Sequence, residues 1–478
     1  MVFRFAVGIA FFAVSATGCE LFAHLEPARE EVMATDASDG GGSDANDGGG
    51  SDANDAATEM GDAPSGDEVQ TITVHGTVIG DWRHRVPGAD VYLGDRATKT
   101  DANGEFTFSG VTPPYDVTLA FQKPWPTAWS FKGLTRPDPT LELYDVLLPA
   151  KGGALNLLYG TLPAGPTNDG GPVPRTLSFA FGSLDGTFAE RAFDLSRDEY
   201  DFSFASWYGP DSTAGTLHAL LWETTGGVYA LPNHYVSYAS TPVALTTSQQ
   251  VVASMSLPGN VLPEDDVAGT IDRPSVDTEL DGYLRFDSGA VMPIFMAQQV
   301  ATTFSVLMPI IPHASVAISA RWDEPGGSGE QSAARKEGLV PGDVPVQLSL
   351  PSPPTLVSPD DQAQVAASAP FEWLAPPQVV VLVVKCNGGK MTDLPTYIYV
   401  VTQDKKAVLP SLPASSGVVL PTNRLCTWWV EVYGVYAAVD EATGPAGMLE
   451  PMFGLATRPV RASGTATKTR TRYVNFAP

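Results

Sequence analysis

The chain has 478 residues, and its 28 lysines and arginines against 54 aspartates and glutamates give a net charge of −26. This acidic excess argues against a nucleic-acid partner, because phosphate binding requires a basic face. After the N-terminus no apolar run reaches the roughly 18 residues of a membrane-spanning helix. The 46 glycines and 41 prolines are typical of a turn-rich β protein. The length of the chain suggests three or four domains.

The first predicted element is an export signal. Arg4 precedes an apolar run from Phe5 to Ala16, which is too short to span a bilayer but suits a secretory signal. The next residues, Ala16-Thr17-Gly18-Cys19, resemble the lipobox of bacterial lipoproteins. The alternative is an ordinary signal peptide that leaves Cys19 as a free thiol.

The lipobox resemblance implies removal of residues 1–18 and lipidation of Cys19. It departs from the family at Ala16, where leucine is usual. It also implies a cell-envelope protein held in the membrane by more than one acyl chain. Glu20 is compatible with sorting to the outer membrane in that family.

Residues 19–68 are predicted to form a disordered acidic tether of Gly, Ser, Asp and Ala. From Glu20 onward the stretch has 14 acidic residues and one basic residue, Arg29, and a net charge of −13. Its core repeats Gly41-Gly42-Ser43-Asp44-Ala45-Asn46-Asp47 as Gly49-Gly50-Ser51-Asp52-Ala53-Asn54-Asp55. This core has almost no apolar side chains, so it cannot repay the entropy of ordering. A calcium-binding repeat is the alternative, but the tether lacks the apolar residue that each repeat of a calcium β-roll needs.

From Val69 onward short alternating runs separated by turns predict an all-β fold of tandem β-sandwiches. Residues 71–122 resemble the carboxypeptidase regulatory-like domain, a transthyretin-like sandwich. The resemblance implies a non-catalytic module over residues 69–151 and transfers no metal or catalytic residue. It rests on the strings Val74-His75-Gly76-Thr77-Val78, Val86-Pro87-Gly88-Ala89-Asp90-Val91, Asp101-Ala102-Asn103-Gly104-Glu105-Phe106 and Pro114-Tyr115-Asp116-Val117.

An internal repeat predicts two related sandwiches at 152–261 and 262–351. The opening string around Gly76 recurs around Gly160 and Gly269. Each unit is also predicted to have a penultimate strand that ends in an aromatic residue. Chance recurrence is the alternative. The closing strings are Val146-Leu147-Leu148-Pro149, Met255-Ser256-Leu257-Pro258 and Leu348-Ser349-Leu350-Pro351, and the aromatic residues are Phe121, Trp222 and Trp322.

Residues 352–478 look like a fibronectin type III or immunoglobulin-like domain. Phe371-Glu372-Trp373, the apolar run Val379 to Val384 and Trp428-Trp429 suggest its strands. Residues 469–476 are predicted to form the last, edge strand, whose arginines guard it against aggregation. A basic tail that binds anionic lipid is the alternative.

Two cysteines of the fourth unit are predicted to form a disulfide. Cys386 alternates in phase with Val384, and Cys426 with Trp428, so both point inward. If Cys19 is acylated, this pair is even in number and lies in an oxidising compartment. Two free buried thiols are the alternative.

No motif of catalysis, metal binding or cofactor binding is present in the sequence, so no catalytic residue, metal ligand or cofactor is predicted. The six histidines lie at least nine positions apart, and nucleophile-elbow and phosphate-loop motifs are absent. Glu264-Asp265-Asp266 is interpreted as a solvated linker. Asp101, Asn103 and Glu105 are interpreted as a hairpin turn rather than calcium ligands.

Aromatic residues are the best candidates for ligand contact: Trp125, Trp129, Trp207 and Tyr208. Exposed aromatic side chains stack on sugar rings or anchor protein partners. The alternative is that they cover the ends of the sandwiches. The sequence therefore predicts a lipid-anchored envelope protein that is a non-enzymatic binding or structural module for a protein or glycan. A hydrolase of envelope or extracellular polymers, with a site between domains, is the second hypothesis.

Overall fold

The computed structural model describes most of the chain from residue 70 to residue 477. The segments left out are 81–84, 123–124, 144–150, 160–166, 169–170, 184–187, 196–200, 208–211, 228, 247–248, 260, 273–277, 325–328, 388–393, 423 and 445–462. Among the described residues the helical structure is one turn of α-helix, α1 (Val439–Ala442), and one 3-10 turn, Ala414–Ser416. The predicted all-β fold class is thus confirmed. The lipobox and the tether lie outside the described residues.

The first unit is a two-sheet sandwich whose strands alternate buried and exposed residues, as in β1, where Val74 and Val78 are fully buried. One sheet has the order β4-β1-β7 and the other β3-β2-β5-β6. The strands are β1 (Ile72–Ile79), β2 (Asp90–Leu93), β3 (Arg96–Lys99), β4 (Glu105–Val111), β5 (Tyr115–Phe121), β6 (Thr127–Leu134) and β7 (Thr140–Glu142).

The second unit repeats this arrangement, with sheets of order β13-β8-β16 and β12-β11-β14-β15. A small separate hairpin, β9-β10, is added. The strands are β8 (Lys151–Tyr159), β9 (Thr167–Asn168), β10 (Gly171–Pro172), β11 (Arg175–Gly182), β12 (Phe188–Leu195), β13 (Asp201–Trp207), β14 (Ser212–Thr224), β15 (Pro232–Thr246) and β16 (Gln250–Met255).

The third unit has the same two sheets again, β20-β17-β23 and β19-β18-β21-β22. In each of these three units the opening strand lies between an antiparallel partner and a parallel closing strand. The strands are β17 (Glu264–Asp272), β18 (Thr278–Phe286), β19 (Val291–Val300), β20 (Thr303–Pro309), β21 (Ala314–Asp323), β22 (Gln331–Leu339) and β23 (Val346–Ser349).

Details of the predicted repeat differ from the structure. Phe121, Trp222 and Trp322 lie in equivalent strands, β5, β14 and β21, but two further strands follow each of them. The penultimate position was wrong because the next segment of each unit also pairs along the same sheet. The first closing string, 146–149, lies outside the described residues, and β7 pairs with β1 instead.

The fourth unit is a sandwich of two packed β-sheets. A three-stranded sheet, β24-β26-β29, packs against β28-β27-β30, and β30 also pairs with β31 and β32. The strands are β24 (Thr355–Ser358), β25 (Ala363–Val365), β26 (Phe371–Leu374), β27 (Val379–Cys386), β28 (Thr396–Thr402), β29 (Lys406–Ala407), β30 (Leu425–Tyr433), β31 (Gly464–Lys468) and β32 (Arg472–Phe476).

The last strand is not a free edge, so this prediction was wrong. β32 pairs with β30 on one side and in parallel with β25 on the other. Its Arg472 guanidinium donates to the carbonyl oxygens of Leu356 and Pro359, at 2.9 and 2.8 Å. The arginine therefore ties β32 to the start of the unit.

The fourth unit joins the first and third units into one sheet of 14 strands. β28 pairs in parallel with β6 of the first unit, and β31 pairs antiparallel with β22 of the third. Alone, the first and third units would each expose a sheet edge, and each pairs that edge with a strand of the fourth unit. The first, third and fourth units are thus joined by backbone hydrogen bonds and are not separate domains connected only by linkers.

Strand β27 is buried on both of its faces, one in the core of the fourth unit and the other against the first unit. Val380, Leu382 and Val384 pack in the core of the fourth unit. Val381 and Val383 belong to a core cluster shared with the first unit. An uninterrupted apolar run is typical of a strand covered on both sides, so this sheet is a middle layer.

Candidate functional site

One end of the fourth unit's sheet presents a row of partly exposed side chains on the face opposite that unit's core. Strand register places Tyr397 beside Lys385, Lys385 beside Thr427, and Thr427 beside Tyr473. The row crosses four neighbouring strands and spans about 14 Å at the usual strand spacing. Tyr473 is 41% exposed, and the other three are half-buried.

Aromatic rings extend this row. The Trp125 ring lies 6.2 Å from that of Tyr397, and Tyr397 stacks at 6.2 Å on Tyr399. Half-buried Trp429 lies on the same face of β30 and donates from Nε1 to Glu431 Oε1 at 2.8 Å. We call the set the aromatic platform: Trp125, Lys385, Tyr397, Thr427, Trp429, Lys468 and Tyr473.

Two lysines supply the charge of the aromatic platform. Lys385 Nζ lies 5.4 Å from the centroid of Tyr397, and Lys468 Nζ lies 4.9 Å from that of Trp429, both within cation–π range. Within the described part of the chain neither lysine forms an ion pair. Neither ammonium group is therefore neutralised by an ion pair among the described residues, although Lys468 lies opposite Glu431 on the neighbouring strand.

A disulfide braces the platform from the core side. Cys386 and Cys426 are joined and occupy opposite positions on β27 and β30, with Cα atoms 4.2 Å apart. Their chain neighbours, Lys385 and Thr427, project from the other face because successive strand residues alternate. The bond thus holds in register the two strands that carry the centre of the row.

The structure separates the four aromatic candidates found in the sequence. Trp125 lies on the platform, whereas Trp129 is fully buried and stacks on Tyr399 at 4.1 Å. Trp129 is therefore a core residue of the junction between the first and fourth units, and its interpretation as a ligand contact was wrong. Trp207 ends β13 and its side chain is not among those described; Tyr208 also lies outside the described residues.

A groove of about 330 Å³ lies between the first and fourth units. Asp116 and Lys132 on its wall pair with each other at 2.9 Å, and Asp116 also accepts from the backbone N–H of Gly133 at 2.9 Å. Charges already engaged with each other attract a ligand less than free charges do. The groove is thus a weaker candidate than the aromatic platform.

A chain of hydrogen bonds crosses the junction of the second and third units. The ring nitrogens of His218 lie 2.8 Å from Tyr238 Oη and 2.8 Å from Ser288 Oγ, and the ring stacks on Phe286 at 3.9 Å. Burial lowers the pKa of His218 to about 4. The imidazole is therefore neutral near pH 7.

The segment around Glu264 also belongs to this junction. Asp265 and Asp266 are solvent-exposed as expected, but the segment is a strand of the third unit and not a linker. Glu264 opens β17 and forms hydrogen bonds with His234 Nδ1 and with the backbone N–H of Tyr235, each at 2.8 Å.

The Asp101, Asn103 and Glu105 motif of the first unit forms a tight turn, as predicted. Asp101 accepts from the backbone N–H groups of Asn103 and Glu105, at 2.8 and 2.9 Å. These bonds form the turn between β3 and β4, as a hairpin requires.

The outward face of the third unit's sheet contains buried charged groups. Arg285 and Arg335 both pair with Glu337, the latter at 2.7 Å, and the Arg335 guanidinium lies over Tyr283 at 5.2 Å. Burial raises the pKa of nearby Asp281 to about 6, although the backbone N–H of Ala297 donates to its carboxylate at 2.7 Å. These charges pair within the fold and form no open site.

The described residues lack both a metal-ligand cluster and a helix able to cross a membrane. No group of three or more His, Cys, Asp or Glu side chains is arranged there to hold a metal ion. None of the helices in that part of the chain has the length and apolar character that crossing a membrane requires. Metal-ligand clusters therefore do not distinguish any one place in the described structure.

Comparisons with known proteins give distant matches among solved structures and no family for the chain. No protein-family model matches the chain, and no curated protein matches it. The lipoprotein and carboxypeptidase regulatory-like resemblances accordingly remain predictions. Among solved structures the matches include the Bacillus anthracis TIE protein, shaft pilin SpaA from Lactobacillus rhamnosus GG, and BcpA, the major pilin subunit of Bacillus cereus.

These structural matches are distant. The TIE protein has 10% identity and a TM-score of 0.14, over 58% of this chain and 49% of its own, so the chain spans about half its length. SpaA has 13% identity and a TM-score of 0.13, over 41% of this chain and 100% of its own. BcpA has 10% identity and a TM-score of 0.14, over 59% and 100%. Values this low carry no argument about function.

Proposed function

We propose that the chain is a non-enzymatic structural and binding protein of the cell envelope, anchored by lipid at Cys19. The observation that carries the proposal is the sheet of 14 strands, which joins three sandwich units through backbone hydrogen bonds. Such continuity suits a rigid scaffold that presents a surface at a fixed position. The acidic tether of residues 19–68 would extend the scaffold from the membrane, because like charges along a linker repel.

The anchor and the scaffold can be tested separately. Membrane fractionation should recover the wild-type chain with the envelope and Cys19→Ser in the soluble fraction; retention of the variant would contradict the anchor. Calorimetry should show the first, third and fourth units unfolding in one transition, because their sheets are continuous. Separate transitions for these units would contradict the rigid scaffold.

A hydrolase is the second candidate, and one observation favours it. Ser288, His218 and Tyr238 form a hydrogen-bonded chain like that of a nucleophile, a base and an orienting group. A base works best when its pKa lies near the working pH, whereas burial lowers the pKa of His218 to about 4. A fluorophosphonate probe should therefore leave Ser288 unlabelled; labelling that is lost in His218→Gln would support the hydrolase instead.

A further inference from the structure

We infer that the aromatic platform binds an anionic polysaccharide, one whose sugar rings carry carboxylate or phosphate groups. This inference rests on the proposed function and names the partner of the binding surface. The platform combines partly exposed aromatic rings, hydroxyl groups on Tyr397 and Tyr473, and two lysines without an ion pair among the described residues. The Thr427 hydroxyl donates to the Lys385 carbonyl at 3.3 Å and remains only an acceptor. Rings provide stacking surfaces, and hydroxyl groups both donate and accept hydrogen bonds.

Charge distribution singles out the fourth unit. Over residues 352–478 ten basic residues face nine acidic ones, so this segment is slightly positive in a chain of net charge −26. Lys385 and Lys468 lie beside aromatic rings at 5.4 and 4.9 Å. Each ammonium group lies over a different ring, so anions on separate sugar units of a charged polymer could meet the two lysines.

Backbone pairing argues for a glycan over a peptide. β27 is paired on both sides, by β28 and β30, and β30 is paired by β27 and by β31 and β32. A peptide can extend a sheet only at a strand with unpaired backbone groups, and β27 and β30 offer none. Recognition must use side chains that project from the sheet, and rings, hydroxyls and ammonium groups suit a charged sugar.

The side chains of the aromatic platform are preorganised by the fold. The Cys386–Cys426 disulfide links the two central strands directly beneath Lys385 and Thr427. Trp125 packs against Tyr397 from the first unit, with ring centroids 6.2 Å apart, so the junction of two units fixes one end of the row. A surface that needs no ordering on binding loses less entropy and binds more tightly.

The test measures binding of the full chain to polygalacturonate in 0.15 M salt by affinity electrophoresis. Fully methyl-esterified polygalacturonate has the same sugar rings without the charge, and polyglutamate has the charge without the rings. We expect retardation by polygalacturonate, with binding to each of the other two polymers weaker by about tenfold or more. Equal binding to the methyl ester would overturn the role of charge, and equal binding to polyglutamate would overturn the glycan.

Variants locate the site. Lys385→Gln keeps most of the side chain and removes the charge, and Tyr473→Ser removes an exposed ring; each should weaken binding by about tenfold. The matched controls, Lys405→Gln and Leu374→Ser, change exposed residues at the opposing sheet β24-β26-β29 of the same unit and should leave binding unchanged. Unchanged binding in both platform variants would overturn the inference. Membrane retention that still depends on Cys19 would show that the proposed envelope function survives such a failure.

Discussion

The ring of Phe106 lies directly over Gly76, so close that a Cβ atom on this glycine would be 2.1 Å from the ring's Cζ. The two residues are opposite each other on β4 and β1. Phe304 and Gly269 repeat the arrangement on β20 and β17 of the third unit, where the corresponding distance is 2.5 Å. An aromatic ring that covers a strand glycine restores the packing that the missing side chain would provide.

The first prediction concerns these glycines. Gly76→Ala and Gly269→Ala should each destabilise the protein by about 1–3 kcal/mol, because the new methyl group overlaps a buried ring. Urea unfolding measures the change in the free energy of unfolding. Adding Phe106→Leu to Gly76→Ala should recover part of the loss, since the two sites are in contact. A fully additive double variant would contradict the overlap.

The recurrence of Gly76 in the sequence as Gly269 thus has a physical cause, namely the space taken by a facing ring. Local patterns were sufficient to predict the all-β class, because alternation of buried and exposed residues follows from the pleat. They did not predict that β6 pairs with β28 or that β31 pairs with β22. Such pairing depends on which sheet edges meet in space, and an edge strand has no distinctive local pattern.

The candidate site was only partly predictable for the same reason. Trp125 was selected from the sequence because it lies in a proline-rich connection, and it does belong to the platform. Lys385 and Tyr473 were missed, since only strand register places them in one row through Thr427. The apolar run Val379 to Val384 was the one available signal that this sheet is buried on both faces.

The second prediction tests that middle layer. Val381→Ala should lower the free energy of unfolding by about 2 kcal/mol, because it leaves a cavity in the core shared by the first and fourth units. Val419→Ala is the control, since this side chain is 61% exposed and should change stability by less than about 0.5 kcal/mol. Equal, small effects of both variants in urea unfolding would show that the face of Val381 is not packed.

The third prediction concerns the disulfide. Cys386 and Cys426 are 40 positions apart, and a loop of that length corresponds to about 4 kcal/mol of stabilisation in the chain-entropy model. The double variant Cys386→Ala/Cys426→Ala should therefore unfold at markedly lower urea concentration than the wild type. Adding a reducing agent should lower the wild-type midpoint but leave the double variant unchanged. A reductant effect of equal size in both proteins would contradict a role for this bond.

The fourth prediction is a pair of opposite pH dependences. Burial lowers the pKa of His218 from 6.5 to about 4, so unfolding takes up a proton between these values and stability falls as the pH falls from about 6.5 to 4. Burial raises the pKa of Asp281 from 3.8 to about 6, so stability falls as the pH rises from about 4 to 6. Each effect is on the order of 3 kcal/mol.

Because the two windows overlap, the wild-type stability should change little between about pH 4 and 6. Asp281→Asn keeps an acceptor for the Ala297 N–H and removes the acid, so its free energy of unfolding should rise with pH across this range. His218→Gln should show the reverse slope, because only Asp281 of the pair then titrates. Urea unfolding at pH 4, 5, 6 and 7 measures all three curves. Curves for the two variants that run parallel to the wild type would contradict both shifts.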